Sequence, residues 1–160
     1  MRKGELIWHP TKNQLIPLQH EIIKIRGRKT LWTCIFYNEI SRSCNCYENR
    51  PIECRVLKCW DTKDIEELFL KETLDRKTLL KTAPHLLELI NNYEKKFDFN
   101  YFFYLMEDKK EKELKKLIKL DKKFREKLVD TTQFSIEDMN FFFGRSLETL
   151  FKQFNNIFKK

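Results

Sequence analysis

Apolar residues recur at helical spacing through most of the second part of the chain. Asp61 is placed to cap one helix and Pro84 to open another, because proline is tolerated in the first helical turn. Within 107–127, leucines recur among lysines and acids, which predicts a long amphipathic helix with a solvated face. Ser135 fits the start of a capping box. The pattern predicts a helical region over residues 61–160.

Two details of this helical region follow from local signals. The apolar segment 97–106 is too short to distinguish helix from strand, although Asp98 or Asn100 would cap a buried helix. Gly144 is expected to end the helix that begins at Ser135. The last helix carries one apolar stripe, which predicts a core-facing surface and consists of Leu147, Leu150, Phe151, Phe154 and Phe158.

The first part of the chain has shorter and more varied patterns. ELIWHPTKNQLI, residues 5–16, predicts two short strands around a Pro-Thr-Lys-Asn turn. Residues 17–27 predict a short helix that opens at proline and stops at glycine. LWTCIFY, residues 31–37, is rich in β-branched and aromatic residues and predicts a strand, which a polar turn, NEISRS, follows. These elements indicate a small α/β module.

Length and composition set the expected fold class. A chain of 160 residues with 41% hydrophobic residues can build one core, and every cysteine precedes residue 60 while most of the 14 Phe follow it. We therefore expect a mainly α protein with a small cysteine-rich α/β module at the N-terminus. The predicted division is a metal-binding module over 1–60 and a helical region over 61–160, packed together as one compact unit.

Charge and segment hydrophobicity restrict the partners and the compartment. The chain carries 32 Lys+Arg and 24 Asp+Glu, a net charge of +8, which is compatible with nucleic acid or an acidic protein partner. The alternative is that the lysines only solvate a helix face. Nothing resembles a secretion signal or a membrane span of roughly 20 apolar residues. We expect a cytoplasmic protein without membrane contact, in which thiols stay reduced.

Five cysteines are the strongest chemical signal in the sequence. Their spacing is Cys34-x9-Cys44-x-Cys46-x7-Cys54-x4-Cys59, and none of these intervals is the C-x2-C of common zinc sites. In an extended segment, the side chains of Cys44 and Cys46 project to the same side. Clustered thiols in a reducing compartment indicate metal ligands more often than disulfides. Free cysteines that only pack are the alternative interpretation.

The Arg50-Pro51 pair predicts a helix beginning near Pro51. Cys54 would then lie in the first turn, where the positive end of the helix favours the thiolate. Cys54 and Cys59 are five positions apart, about 140° around a helix. The helix must therefore unwind or turn before Cys59 if both thiols reach one ion.

This stretch also resembles a known family. TCIFY, followed by CNCYENRPIECRVLKC, is similar to the second half of the YkgJ-type, or CxxCxxCC, zinc- or iron-chelating cysteine-cluster domain. The resemblance covers roughly residues 31–60, and its Y-x-x-R-P-x-x-C-R core is its most specific part. The matching positions are Cys34, Phe36, Cys44, Tyr47, Arg50, Pro51, Cys54 and Arg55, with Cys59 in the place of the final cysteine.

The chain departs from that family pattern at two points. Members carry a C-x-x-C-C cluster upstream of the matching stretch, whereas no cysteine precedes Cys34 in this sequence. Cys46 occupies a position where members have Ile or Val, which makes it a candidate replacement ligand. His9 and His20 are further candidates. The other explanation is that an upstream segment lies outside this sequence.

The resemblance implies a metal centre held by Cys34, Cys44, Cys46, Cys54 and Cys59. It implies an iron-sulfur cluster, with 4Fe–4S among the types, in members similar to flagellin lysine N-methylases, and zinc by the family's label. Four thiolates make such a centre negative, so Arg50 and Arg55 are expected to offset its charge. For Tyr47 the better interpretation is a core aromatic under the turn.

Three functions remain open from the sequence. The first is a metal-binding protein that holds an iron-sulfur cluster or zinc. The second is a protein-lysine N-methyltransferase resembling the flagellin-modifying members, although three Gly and no glycine-rich turn leave its cofactor pocket unidentified. The third is a basic module that binds nucleic acid or a protein partner, with a structural metal. No hydrolase or nucleotidase motif is present, so no catalytic residue is assigned.

Overall fold

The protein is mainly α-helical. The computed structural model describes residues 1–25, 27–28 and 33–158. The strands are β1 Leu6–His9, β2 Gln14–Pro17, β3 Tyr37–Asn38 and β4 Ser43–Cys44; the helices are α1 Ile52–Val56, α2 Lys63–Glu67, α3 Arg76–Leu79, α4 Pro84–Lys96, α5 Phe99–Glu107, α6 Glu111–Thr131, α7 Ile136–Phe143 and α8 Leu147–Phe158. Among the described residues, no helix has the length and apolar character needed to cross a bilayer.

The first two strands form the predicted hairpin. They pair antiparallel, with Leu6 opposite Pro17 and His9 opposite Gln14. The Asn13 amide donates to the His9 carbonyl at 2.9 Å, and Asn13 has a φ of 51°, which asparagine tolerates better than most residues. This prediction is confirmed.

Capping residues begin the helices where the sequence places them. Pro84 is the first residue of α4. The Asp98 carboxylate accepts a hydrogen bond from the Tyr101 amide at 2.9 Å, so the segment that the pattern left open is a helix, α5. Ser135 accepts from the Asp138 amide at 3.1 Å while Asp138 accepts from the Ser135 amide at 2.7 Å. The capping box is therefore confirmed.

The core lies between the five C-terminal helices. Phe97, Phe102 and Phe143 are fully buried at its centre, and aromatic rings make repeated edge and tilted contacts there. The buried cluster consists of Ile90, Tyr93, Phe97, Phe99, Phe102, Leu105, Met106, Leu114, Leu117, Met139, Phe143, Leu147, Leu150 and Phe154. Of the predicted stripe of the last helix, Leu147, Leu150 and Phe154 are in the core and Phe151 packs against it, while the side chain of Phe158 lies outside the described ones.

The predicted helix over 17–27 is wrong. Its described residues after Pro17 form no helix and bend at Gln19 and His20, and Arg26 lies outside the described residues. The Ile22 amide donates to the Met1 carbonyl at 3.1 Å, and the Ile23 amide donates to the Leu74 carbonyl at 2.9 Å. Backbone partners from distant parts of the chain therefore replace the helical hydrogen bonds that the local sequence favours.

Two other local predictions are corrected in part. The strand predicted over 31–37 falls partly on Leu31 and Trp32, which lie outside the described residues, and strand pairing begins only at Tyr37, after a single bridge between Cys34 and Gly27. The helix predicted at Asp61 is present but short. It covers Lys63–Glu67, and the Asp61 carboxylate accepts from the Lys63 amide at 3.1 Å.

A buried polar network joins α4, α6, α7 and α8. The Tyr93 hydroxyl donates to Asp121 at 2.5 Å and accepts from Arg125 at 2.6 Å. Asp121 also accepts from the Arg125 side chain at 2.9 Å and from the Leu147 amide, the first of α8, at 2.8 Å. Arg125 further donates to the carbonyls of Met139, Phe143, Gly144 and Arg145. This side chain thus satisfies carbonyls that the end of α7 leaves free.

The N-terminal segment is held against the helices by charged side chains. The Arg2 guanidinium lies 3.7 Å from the centre of the Phe99 ring and donates to the Phe97 carbonyl at 3.3 Å. Glu5 is fully buried and pairs with Arg145. A buried carboxylate requires such a partner, so the hairpin is tied to the corner between α7 and α8.

Candidate metal centre

A short hairpin brings the first three cysteines together. Tyr37 pairs with Cys44 across β3 and β4. The Tyr37 amide donates to the Cys34 carbonyl at 3.0 Å, so Cys34 lies one turn before the strand. The Asn38 side chain accepts from the amides of the tip, at 2.9 Å from Ile40, and thereby stabilises the predicted polar turn. The loop chemistry thus places Cys34 beside the hairpin that carries Cys44.

Two further turns carry the chain from Cys46 to Cys54. The 3-10 turn Tyr47–Asn49 follows Cys46, whose carbonyl accepts from the Asn49 amide at 2.9 Å. The predicted helix near Pro51 is present as α1, with Pro51 at its cap, and it ends at Val56 before Cys59. The required break in the helix between Cys54 and Cys59 is therefore present.

The sulfur atoms of Cys44 and Cys46 are in contact, at 3.6 Å. The pKa of the Cys46 thiol is raised, first by its loss of hydration, then by the hydrogen bond and charge of Cys44, with Cys34 and Cys54 adding to the effect. Four of the five thiols therefore lie close enough for their charges to interact. All five cysteines are free thiols.

The expectation that Cys54 favours the thiolate is wrong. The pKa of its thiol is raised by desolvation and by the charges of Cys34, Glu53 and Cys44, against which Arg50 acts weakly. Helix α1 has five residues, so its dipole is small, while three negative or thiol groups lie close by. Without a cation, this arrangement opposes ionisation of the thiols.

Cys59 is separate from the other thiols. It is exposed and lies in the turn between Lys58 and Asp61, which form an isolated bridge. Over residues 33–158, its sulfur contacts none of the other four. Within the residues that the structure describes, no group of three or more His, Cys, Asp or Glu side chains is already arranged to hold a metal ion. The ligand set of five cysteines thus stays a prediction.

Arg50 and Tyr47 form a contact of their own. The Arg50 guanidinium lies 3.9 Å from the centre of the Tyr47 ring and donates to the Tyr47 carbonyl at 2.8 Å. Tyr47 is 57% exposed, so its interpretation as a core aromatic is wrong. Arg55 is an exposed residue of α1. The predicted roles of both arginines beside a cofactor stay predictions.

The two candidate histidines have other surroundings. The His9 ring lies 4.8 Å from the Phe69 ring and contacts the Thr11 hydroxyl at 3.1 Å, within the β1–β2 hairpin region. His20 is exposed. Neither of the two contacts of His9 involves a cysteine, so the structure gives no support to a histidine ligand.

The cysteine segment differs from the rest of the chain in its burial. Among the described residues from 19 to 75, no side chain is buried, whereas the helical region contains a continuous core. Large apolar side chains are instead exposed here, with Ile40 at 98% and Trp60 at 85%. Sequence reasoning missed this property, because it expected residues 1–60 to pack with the helical region as one compact unit.

Comparison with known proteins identifies no relative of this chain: no family model matches it, and neither the curated proteins nor the solved structures contain a match.

Proposed function

We propose that the cysteine segment binds a thiophilic metal through Cys34, Cys44, Cys46 and Cys54. Cys59, whose sulfur contacts none of these four, is a further candidate ligand. The observation that carries this proposal is the contact between the sulfurs of Cys44 and Cys46, 3.6 Å apart. Cys34 and Cys54 lie near enough for their charges to raise the pKa of Cys46. Their charges oppose one another in the absence of a cation. A bound divalent cation would remove that repulsion, because thiolates are the form that coordinates metal.

The distance between two of the sulfurs supports a mononuclear site. With zinc–sulfur bonds of about 2.3 Å, two ligands of a tetrahedral ion are about 3.8 Å apart. The separation of 3.6 Å between Cys44 and Cys46 is close to this value. An iron of a 2Fe–2S cluster also takes two thiolates, whereas each iron of a 4Fe–4S cluster takes one, which needs a wider spacing. The proposal therefore puts zinc first, a 2Fe–2S cluster second and 4Fe–4S last.

The cysteine segment has no buried core of its own, so a bound metal would help to stabilise its folded structure. Segments of this size that bury little apolar surface usually need a disulfide, a metal or a partner to remain ordered. The five thiols are free and no side chain of the described residues 19–75 is buried. Metal binding would supply part of the folding free energy of this cysteine-rich module, as it does in other small zinc domains.

The surroundings are compatible with a negative centre. A divalent ion with four thiolates carries a net charge of −2. The charge of Arg50 already acts to lower the pKa of Cys54, so its guanidinium is within electrostatic range of the site. Arg55 adds a second positive charge on α1. A reducing compartment such as the cytoplasm would keep the thiols free for coordination.

Metal analysis of protein purified without oxygen tests the proposal. We expect about one equivalent of zinc, or iron with acid-labile sulfide and absorbance on the order of 400 nm, per chain. The double variant Cys44→Ser/Cys46→Ser should lose the metal. The matched control Ser41→Ala/Ser43→Ala changes the same hairpin without removing a thiol, and it should keep the metal. A folded wild-type protein that carries no metal and binds neither added zinc nor cobalt would overturn the proposal.

A further inference from the structure

Helix α6 carries a row of exposed lysines to which the proposed metal binding assigns no role. Seven lysines lie within Glu111–Thr131. Lys115 pairs with Glu111 at 3.1 Å and Lys122 pairs with Glu126 at 3.8 Å, each one turn apart. The other five are exposed, and in the described part of the chain none of them forms an ion pair; they are Lys112, Lys116, Lys119, Lys123 and Lys127. We call these five residues the lysine stripe.

Helix geometry aligns the lysine stripe. At 100° per residue its five positions fall within about 80° around the axis, and they extend over about 22 Å. The opposite face of α6 is buried through Leu114, Leu117, Asp121 and Arg125. Because α6 packs on the core through that face, the stripe points away from the core.

Repulsion between the lysines of the stripe lowers the stability of helix α6. Like charges three or four positions apart destabilise a helix by roughly 0.2–0.5 kcal/mol per pair, and the stripe contains four such pairs. Glu113 and Asp130 lie three positions from Lys116 and Lys127, but among the described residues no ion pair joins either acid to the stripe, and Glu126 pairs with Lys122. A bound polyanion would relieve the repulsion between the lysines.

We infer that the lysine stripe binds the phosphate backbone of double-stranded nucleic acid without reading its sequence. Lysine binds phosphate as a compact point charge, so a row of lysines suits the regularly spaced phosphates of a duplex backbone. Helix α6 contains no Asn or Gln that could accompany the lysines in reading base edges, and its Arg125 is buried. The net charge of +8 would add long-range attraction.

An anionic membrane is a weaker match to the same face. Helices that lie on a bilayer insert an apolar face beside their basic residues. The apolar face of α6 packs on the core and cannot insert into a bilayer. Among the exposed positions of this helix, the large apolar side chain is Leu120, which is 40% exposed. The line of positive charge therefore lacks the apolar neighbours that a membrane-surface helix uses.

Binding of a mixed-sequence DNA duplex of about 20 base pairs, followed by fluorescence anisotropy, tests the inference. If all five lysines contact phosphates, log K should fall with log salt with a slope of up to about −4.5, or about 500-fold between 50 and 200 mM KCl. A scrambled duplex should bind equally, since only phosphates are contacted.

Two matched double variants separate the lysine stripe from net charge. Lys119→Gln/Lys123→Gln should weaken binding by more than about tenfold at 100 mM KCl and reduce the salt slope by about 1.8. Lys115→Gln/Lys122→Gln removes the same charge from ion-paired positions and should weaken binding by less than about threefold. Glutamine is a good helix former, so both should fold, which circular dichroism checks.

Three results would overturn the inference. The first is the absence of duplex binding at low salt, and the second is equal weakening in the two double variants, which would mean that only net charge matters. The third is binding to vesicles that contain phosphatidylserine together with no binding to the duplex. Zinc-loaded and metal-free protein are both measured, so that failure of the metal proposal does not obscure the result.

Discussion

The hydroxyl of Tyr93 in α4 donates a hydrogen bond of 2.5 Å to the carboxylate of Asp121 in α6. Burial raises the pKa of Tyr93 well above its usual range, so the hydroxyl stays protonated and can act as the donor. The same carboxylate holds Arg125 and the first amide of α8. One buried acid of α6 therefore connects α4 and α8 to its own helix through hydrogen bonds.

Asp121→Asn should lower the free energy of unfolding by about 3–5 kcal/mol, because it leaves the Arg125 guanidinium buried without a counter-charge. The new amide also has only one oxygen, so it cannot accept from both Arg125 and Leu147. Urea unfolding followed by circular dichroism measures the change. Asp130→Asn, the same substitution at an exposed position of α6, should stay within about 0.5 kcal/mol. A loss below about 1 kcal/mol at Asp121 would contradict the assigned role.

Gly144→Ala should destabilise the protein by about 1–3 kcal/mol. Gly144 ends α7 with a φ of 67° and a ψ of −166°, a region that is essentially restricted to glycine. An added Cβ would also lie 3.0 Å from Cγ of Arg2, which would have to move. Thermal and urea unfolding measure the effect, and Asn140→Ala in α7 is the control. Equal stability of the two variants would mean that the corner can adopt another conformation.

Ser135→Ala should cost about 1 kcal/mol, because the capping box loses the acceptor for the Asp138 amide. The Ser135 amide and hydroxyl lower the pKa of Asp138 through hydrogen bonds. This contribution to stability is present above the ordinary aspartate pKa of about 4 and is lost as the pH falls through the lowered value. The stability difference between wild type and Asp138→Asn should therefore shrink below about pH 4. A difference that is constant with pH would count against the assigned bond.

Zinc affinity should rise with pH between about 6.5 and 8.5. The raised pKa values of Cys46 and Cys54 mean that both thiols carry protons at neutral pH, and binding must release them. Each such thiol adds up to one unit of log K per pH unit below its pKa. Competition against a chelator of known pH dependence measures this slope. Cys46→Ser should lower it by about one, and an affinity independent of pH would exclude thiol ligands.

Metal loading should order the cysteine segment selectively. Added zinc is expected to slow amide hydrogen exchange in 34–61, since this stretch has no core of its own, and to leave α6 unchanged. Mass spectrometry of zinc-loaded and chelator-treated protein measures both regions. Equal protection of 34–61 in the two samples would show that metal does not fold this stretch.

Local signals account for the parts of the fold that the sequence predicted correctly. Asp98, Ser135 and Gly144 act through bonds or backbone angles within a few residues, so their helix ends are readable from short stretches. The non-helical course of residues 18–25 was not readable from the local sequence, because its backbone bonds reach Met1 and Leu74.

The pattern of apolar residues did not predict which charged side chains are buried in the core. Glu5 pairs with Arg145 at a separation of 140 positions, and a periodic pattern of apolar residues assigns no interior place to a charged side chain. Similarly, helical spacing puts Leu120 among the apolar residues, yet Asp121 is buried and Leu120 is 40% exposed.

Part of the local structure around the candidate site was predictable from the sequence. The polar turn at Asn38 and the helix near Pro51 follow from residue types, whereas the end of that helix at Val56 was only a condition for Cys54 and Cys59 to share one ion. The shift in the pKa of Cys54 depends on which thiols surround it in space, and no spacing in the sequence contains that information.

The position of Arg125 also limits how the C-terminal helices can move. Its guanidinium holds the last carbonyls of α7, while Asp121, one turn earlier, holds the first amide of α8. Sliding or rotation of α8 along α6 would break these bonds together at a largely buried site. The corner at 143–147 should therefore behave as a rigid joint, and any large motion of the molecule must occur elsewhere.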